Sequence, residues 1–233
     1  MRLRSVLGNA AKTIPVPNGG RIAQYAWSPD GRMIAYTTVN SGLGMSIRLF
    51  PVSTATEISV AATGLHGKLG APSWSHDGKY VALSEATRNG TALWLVNVAS
   101  HTAKRITPYA INTVTGGCDW LSKAPQLVCI MNVPTRGAPP AEGETPTGPI
   151  VQESDGRAAP VRTIEYLLKN QHDEALFDYY FTNQITLVTP AGASRNVGSP
   201  GIHTRVDVSP DGKWLLVRTV HRPYSYQVDL NGF

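Results

Sequence analysis

Serine, histidine, cysteine and arginine are the side chains of this sequence that could do chemistry, and their spacing decides which chemistry is open to them. A serine nucleophile on a strand-to-helix elbow needs Gly-x-Ser-x-Gly. The nearest approaches, Gly44-Met-Ser-Ile-Arg48 and Gly192-Ala-Ser-Arg-Asn196, lack the second glycine and sit in strand-and-turn patterns that no helix follows. No catalytic residue is assigned. The histidines, at positions 66, 76, 101, 172, 203 and 221, show neither His-Glu-x-x-His nor any other metal-ligand spacing. No metal site and no cofactor are expected. Asn89-Gly-Thr91 matches a glycosylation acceptor, but Asn-Gly between strands reads first as a hairpin turn.

The elements that must position any site come from an internal repeat. Trp27-Ser-Pro-Asp-Gly31, Trp74-Ser-His-Asp-Gly78 and Val208-Ser-Pro-Asp-Gly212 are each followed by a basic residue and an apolar strand. Aspartate bonds nearby amides and glycine takes the positive φ that closes such a turn. Trp27 and Trp74 end the incoming strand, where a large ring can cover the face of the next unit. A degenerate copy, Cys118-Asp-Trp-Leu-Ser-Lys-Ala124, precedes the strand Leu127-Val-Cys-Ile-Met131. The second half of each unit reads as strand, turn, strand around Ile47–Ile58, Leu93–Ile106 and Ile185–Val197.

Short antiparallel strands repeating at roughly 45 residues predict an all-β fold, a partial β-propeller of four-stranded blades. The expected division is an N-terminal extension at 1–20, blade one at 21–60, blade two at 68–108, blade three at 114–198 and half of blade four at 203–233. Blade three carries an insertion at 134–178. About three and a half blades cannot close a ring, so the chain is expected to be a piece of a longer protein. An unprotected strand edge around Tyr224–Val228 and an uncovered apolar face would then drive self-association.

The insertion opens with six prolines and four glycines between 134 and 160, an extended surface loop. Ile164, Leu167 and Leu168 fall at i, i+3 and i+4, which predicts a short amphipathic helix over 161–168. Ala175–Tyr180 then returns the chain to the next strand. If the blade-three turn centres between Lys123 and Ala124, Cys118 faces Cys129. Buried free thiols are the favoured reading there, with a cross-strand disulfide as the alternative.

The net charge of +5 suggests nucleic acid until it is located. The segment 134–178 holds eight acids against four bases, and elsewhere the bases are scattered singly, so no nucleic-acid partner is expected. No apolar run reaches the roughly eighteen residues of a spanning helix, so no membrane partner is expected either. Met1–Ala10 has the charges of an export signal without its apolar stretch. The compartment is left open: periplasmic or secreted if a signal has been lost, cytoplasmic otherwise.

The strings Arg136-Gly-Ala-Pro-Pro140, Val151-Gln-Glu-Ser154, Leu167-Leu-Lys-Asn170, Leu176-Phe-Asp-Tyr-Tyr180 and His221-Arg-Pro-Tyr-Ser225 resemble the propeller region of the prolyl oligopeptidase family. The nearest branch is the glutamyl endopeptidases, and the resemblance runs from about Gly20 to Tyr226. It implies a propeller that gates peptide access to a C-terminal α/β-hydrolase domain, which is missing from this chain. It also implies a role in peptide hydrolysis without the catalytic triad. A glutamyl-selective peptidase needs a cation for the substrate carboxylate. Arg136 and Arg222, in the two most family-specific strings, are the candidate substrate-binding residues, the alternative being that each pairs with an acid of the insertion. The acidic pair Glu142 and Glu144 is not given the amine-binding role of dipeptidyl-peptidase relatives. A stand-alone, TolB-like propeller that binds a protein or peptide is the competing reading.

Overall fold

The computed structural model describes residues 1–5, 11–16, 20–40, 44–141 and 166–228. Its strands form a short hairpin and three antiparallel sheets. The hairpin pairs β1 (Arg2–Arg4) with β2 (Ala11–Thr13). Sheet one runs in the order β3 (Arg21–Trp27), β4 (Met33–Asn40), β5 (Gly44–Pro51), β6 (Ile58–Ser59). In sheet two, β7 (Lys68–Leu69) and β8 (Ser73–Trp74) share one edge of β9 (Tyr80–Thr87), with β10 (Gly90–Asn97) and β11 (Thr102–Arg105) beyond it. Sheet three joins β12 (Cys118–Trp120), β13 (Leu127–Asn132), β14 (Asn183–Val188), β15 (Ser194–Val208) and β16 (Leu215–Val220). Successive antiparallel sheets packed through shared apolar layers are a β-propeller architecture.

The repeated turn explains why the strands start where they do. Ser28 Oγ donates to Asp30 Oδ1 at 2.6 Å, Asp30 Oδ1 accepts the Arg32 N–H at 3.0 Å, and Ser28 Oγ accepts the Met33 N–H at 2.9 Å. The same circuit recurs at Ser75, Asp77 and Tyr80 and at Ser209, Asp211 and Trp214. Gly31, Gly78 and Gly212 take φ of 68°, 68° and 72°, a conformation that costs glycine nothing.

Each gap between sheets is packed with apolar side chains. Ala35, Leu49, Val81 and Leu83 fill the first, with Trp74; Leu93, Leu95, Leu127 and Met131 fill the second, with Trp120. The tryptophans reach backward along the chain, not forward as expected. Trp74 Nε1 donates to Ala26 O and Trp120 Nε1 to Ser73 O, both at 3.1 Å. Each indole lies on the face of its strand that meets the preceding sheet, so it stitches a unit to the one before it.

Four further expectations are corrected. The helix α1 is Gln171–Phe181, and Tyr166–Asn170 is not helical; positions 161–165 lie outside the described residues. The Asn170 side chain accepts the Asp173 N–H at 2.8 Å while Asp173 Oδ2 accepts the Lys169 N–H at 2.8 Å, a reciprocal cap that starts the helix three residues after Leu168. Ala175–Tyr180 therefore lies within that helix. The cysteines are joined: Cys118 and Cys129 face each other in the ladder, with Cα atoms 4.1 Å apart, and form a disulfide. Finally, β16 ends at Val220, and 221–228 is turn rather than edge strand. Pro223 offers no N–H to a ladder, and Tyr224 turns onto Phe177 of α1.

The strand β15 pairs with β14 through Ser194–Gly201 and with β16 through Ile202–Val208, so the chain passes from one hairpin to the next without a break. The N-terminal extension contributes the hairpin β1–β2 and one core residue. Ile14 is buried against Ile34, Tyr36 and Phe50, on the face of sheet one turned away from sheet two. No helix among the described residues is long and apolar enough to cross a membrane.

Candidate functional site

The acidic first turn of α1, Asp173 and Glu174, suits the positive end of a helix, and Phe177 is its one buried side chain. Phe177 stacks on Phe181 at 4.2 Å and meets the Tyr224 ring edge-on at 4.9 Å. This anchors the helix against the turn that carries Arg222. Arg222 bonds Asp178 Oδ2 through Nε at 3.2 Å and Nη2 at 2.5 Å, and it also bonds Glu174. Its guanidinium lies over the Tyr224 ring at 4.9 Å. The bond to Asp178, reinforced by Glu174, raises the Arg222 pKa. Burial, together with the hydroxyl's bond to Asp178, pushes Tyr224 up to about 12.

The next residue of the helix holds the other predicted arginine. Tyr179 OH donates to Gly137 O at 3.0 Å, and Arg136 lies over the Tyr179 ring at 4.6 Å. Arg136 Nη1 donates to Asn132 Oδ1 at 3.1 Å. Asn112 Nδ2 donates to Tyr180 O at 3.0 Å, fixing the same end of α1 to sheet three's approach. The fold thus brings Arg136 and Arg222 to adjacent positions of one helix, but in different electrostatic states. Arg222 faces two carboxylates. Arg136 has an amide and an aromatic ring, and no carboxylate within ion-pair reach among the described residues.

Between sheets two and three lies a cleft of about 190 Å³, lined in part by Asn132, the residue that Arg136 bonds. Ile106, Met131 and Val188 form its apolar lining, and Asn132, Gln184 and Asn196 its polar rim. Sequence reasoning missed this cleft, because no motif marks residues drawn from four separate stretches. Asn132, at the end of the buried run Leu127–Met131, was the one available signal. Ser46 of the first elbow-like string bonds Thr38 inside sheet one at 2.7 Å, and Ser194 of the second begins β15 at the cleft edge. Glu142 and Glu144 lie outside the described residues.

The chain is 32% identical over 225 residues to the probable chloroplastic glutamyl endopeptidase of Arabidopsis thaliana, covering 92% of this chain and 23% of that protein. The chain is homologous to the glutamyl endopeptidases. The rice protein of the same description is 34% identical over 170 residues, 69% of this chain and 18% of its own length. The chain therefore spans less than a quarter of either plant relative. The Tol-Pal system protein TolB of Francisella tularensis subsp. holarctica is 36% identical over 88 residues, 37% of this chain and 20% of that one. Among solved structures, the acylaminoacyl peptidase of Pyrococcus horikoshii superposes with a TM-score of 0.50 at 13% identity, over 90% of this chain and 29% of that one, a likeness of fold. No family model matches the chain.

Proposed function

We propose that this chain is the non-catalytic, substrate-gating propeller portion of a serine-type peptidase related to glutamyl endopeptidase. The observation that carries the reading is the extent of the plant match: nearly the whole chain aligns, yet it corresponds to 23% of the relative's length. No nucleophile elbow lies within these 233 residues. The chemistry is therefore assigned to a C-terminal α/β-hydrolase domain carried elsewhere in the same polypeptide, with a peptide as substrate. The units 21–60, 68–108, 114–198 and 203–233 are proposed as successive blades, of which 134–178 interrupts the third.

In this reading α1 and the two loops that it clamps form one rigid wall of the gate. The test is a comparison of substrates in the longer polypeptide. Loosening the wall by Tyr179→Ala, which removes the bond to Gly137 and the ring under Arg136, should change the rate of cleavage of long peptides more than that of a dipeptide ester. An equal change in both removes the gating role. A second reading, a TolB-like scaffold that binds a protein or peptide, is favoured by the 88-residue TolB match. The two separate on the reading frame beyond Phe233: a Gly-x-Ser-x-Gly elbow supports the peptidase, and a stop after further blades supports the scaffold.

A further inference from the structure

We infer that the exposed faces of the first and last hairpins are the two halves of one contact, and that this chain pairs head to tail with a second copy of itself, the Trp27 indole of each copy donating to Asp207 O of the other. The inference holds for the 233-residue chain under either functional reading, because it rests on the repeat itself.

The repeat sets four residue pairs at one position of the ladder: Trp27 opposite Ile34, Trp74 opposite Val81, Trp120 opposite Leu127 and Val208 opposite Leu215. One residue earlier stand Ala26 opposite Ala35, Ser73 opposite Ala82, Asp119 opposite Val128 and Asp207 opposite Leu216. Side chains alternate across a strand, so the two sets face opposite ways. The core shows which way each faces: Val81 packs with Ala35, Leu127 with Ala82, and Leu215 with Val128. Three times, then, the tryptophan-type pair of one unit enters the face of the unit before it. Two halves of that contact are left over. Leu216, with Trp214 beside it, is exposed on a face that no later unit enters among the described residues. Trp27, with Tyr25 beside it, is exposed and has no earlier unit to enter. Trp74 and Trp120 donate to Ala26 O and Ser73 O, and the carbonyl at the same position of the last hairpin is Asp207 O.

Width selects the partner. Ile14 is buried against Ile34, Tyr36 and Phe50, Pro15 O accepts the Tyr36 hydroxyl at 3.3 Å, and Lys12 Nζ donates to Ser53 O at 3.2 Å. The N-terminal segment therefore already covers β4 and β5 on this face, and the strip that remains is β3 with Tyr25 and Trp27. A four-stranded sheet laid on that face would overlap the N-terminal segment. The hairpin of β16 with the second half of β15, only two strands wide, fits beside it. Its Asp207 carboxylate pairs with Arg205 at 2.8 Å, so docking buries no unpaired negative charge there. A head-to-tail contact either closes or grows without limit. With four repeated pairs in each chain, two copies supply eight units, the upper end of the four to eight that close a β-propeller, and three copies exceed it. The closed pair of chains is the assembly that satisfies both faces.

The experiment is sedimentation equilibrium of the 233-residue chain, which should give twice the chain mass and nothing larger. Trp27→Lys and Leu216→Lys should each sediment as a monomer, and thermal melts should show both folded, since both residues are exposed. An equimolar mixture of the two variants should regain a two-chain species, because the intact Leu216 face of one meets the intact Trp27 of the other. Trp27→Phe keeps a ring and removes the donor, so it should weaken each contact about five-fold and the pair, which makes the contact twice, about twenty-five-fold. A monomeric parent chain, species that grow beyond two chains, a Trp27→Lys variant that still pairs, or a mixture that stays monomeric overturns the inference. Pairing by Trp27→Lys with loss only in Leu216→Lys would identify a face-to-face contact of β16 with itself instead.

Discussion

Replacing Glu85 by glutamine should destabilise the chain by about 3 kcal/mol, and the figure follows from four hydrogen bonds. Glu85 is fully buried in β9 of sheet two. Its Oε1 accepts the His66 and Gly67 N–H groups at 3.0 and 2.7 Å, and its Oε2 accepts Trp94 Nε1 at 2.6 Å and the Tyr109 hydroxyl at 3.1 Å. Burial by itself would push this carboxyl up; the four donors together outweigh it and hold the group below the usual carboxylate range. In Glu85→Gln the remaining oxygen serves best on the two backbone N–H groups, since these cannot turn away. The new NH2 then faces Trp94 and Tyr109. The tyrosine hydroxyl can rotate to accept, but the indole cannot, so one buried donor is orphaned at about 1–3 kcal/mol. The loss of charge assistance in the other bonds adds a comparable amount.

Urea unfolding at pH 7 should show the loss in midpoint at unchanged slope, and Tm should fall by about 6–12 °C for a chain of this size. Trp94→Phe removes the orphaned donor. The cost of Glu85→Gln should therefore drop by about 1–2 kcal/mol in the Trp94→Phe background. A cost under about 1 kcal/mol, or strict additivity of the two substitutions, refutes the account. The pH dependence has a definite sign. Because the folded pKa is depressed, the Glu85 contribution is complete above the unfolded value near about 4.3 and is lost only as pH falls through the lower folded value. Stability should thus be insensitive to this group between pH 7 and pH 5.

Three further outcomes are expected. Trp120→Phe removes the bond to Ser73 O and part of an inter-sheet ring, and should cost about 2 kcal/mol by urea unfolding, with no change in the spectrum of sheet one. A thiol count on the denatured, unreduced protein should find none; after reduction it should find both cysteines, with a stability loss of no more than about 3 kcal/mol because the bridge closes a short hairpin already held by its ladder. Trp214 and Leu216 are 74% and 75% exposed on the outer face of β16 and its entry turn, so Trp214→Lys combined with Leu216→Lys should shift the chain toward monomer in light scattering at unchanged Tm.

The parts of this fold that were legible in the sequence are those fixed within one hairpin. The register that sets Cys118 against Cys129, Asp119 against Val128 and Trp120 against Leu127 follows from the turn centre alone. The Ser-x-Asp-Gly circuits close over six residues, so each can be read from its own string. What was not legible depends on contacts across long separations. Whether facing cysteines are oxidised is not a property of register. The helical pattern at 161–168 competes with a cap at Asn170 and Asp173, and with Phe177 finding Tyr224 more than forty residues later. The two arginines stand in recognisable strings, but only the fold shows that one faces Asp178 while its neighbour on the helix, Tyr179, holds the other. The cleft draws its lining from four separate stretches of chain, and no sequence pattern encodes that.

The same logic accounts for the exposed surfaces at the two ends of the arc. Trp74 and Trp120 are 9% and 7% exposed because each has a preceding sheet to enter, and each donates to the carbonyl of the residue just before the equivalent tryptophan position. Trp27 stands at that position in sheet one, on the face shared with Ile34, and there it is 46% exposed beside Tyr25 at 53%. The N-terminal segment shields Ile34, Tyr36 and Phe50 on this face, and the cluster takes in Ile22 at the start of β3 but not Trp27 at its end. In the last hairpin the position is Val208, which cannot donate; Ser122 Oγ instead bonds Ser209 O at 2.9 Å, so a hydroxyl from the earlier unit replaces the indole. The stitch is therefore one polar bond between successive repeats, made by whichever side supplies the donor.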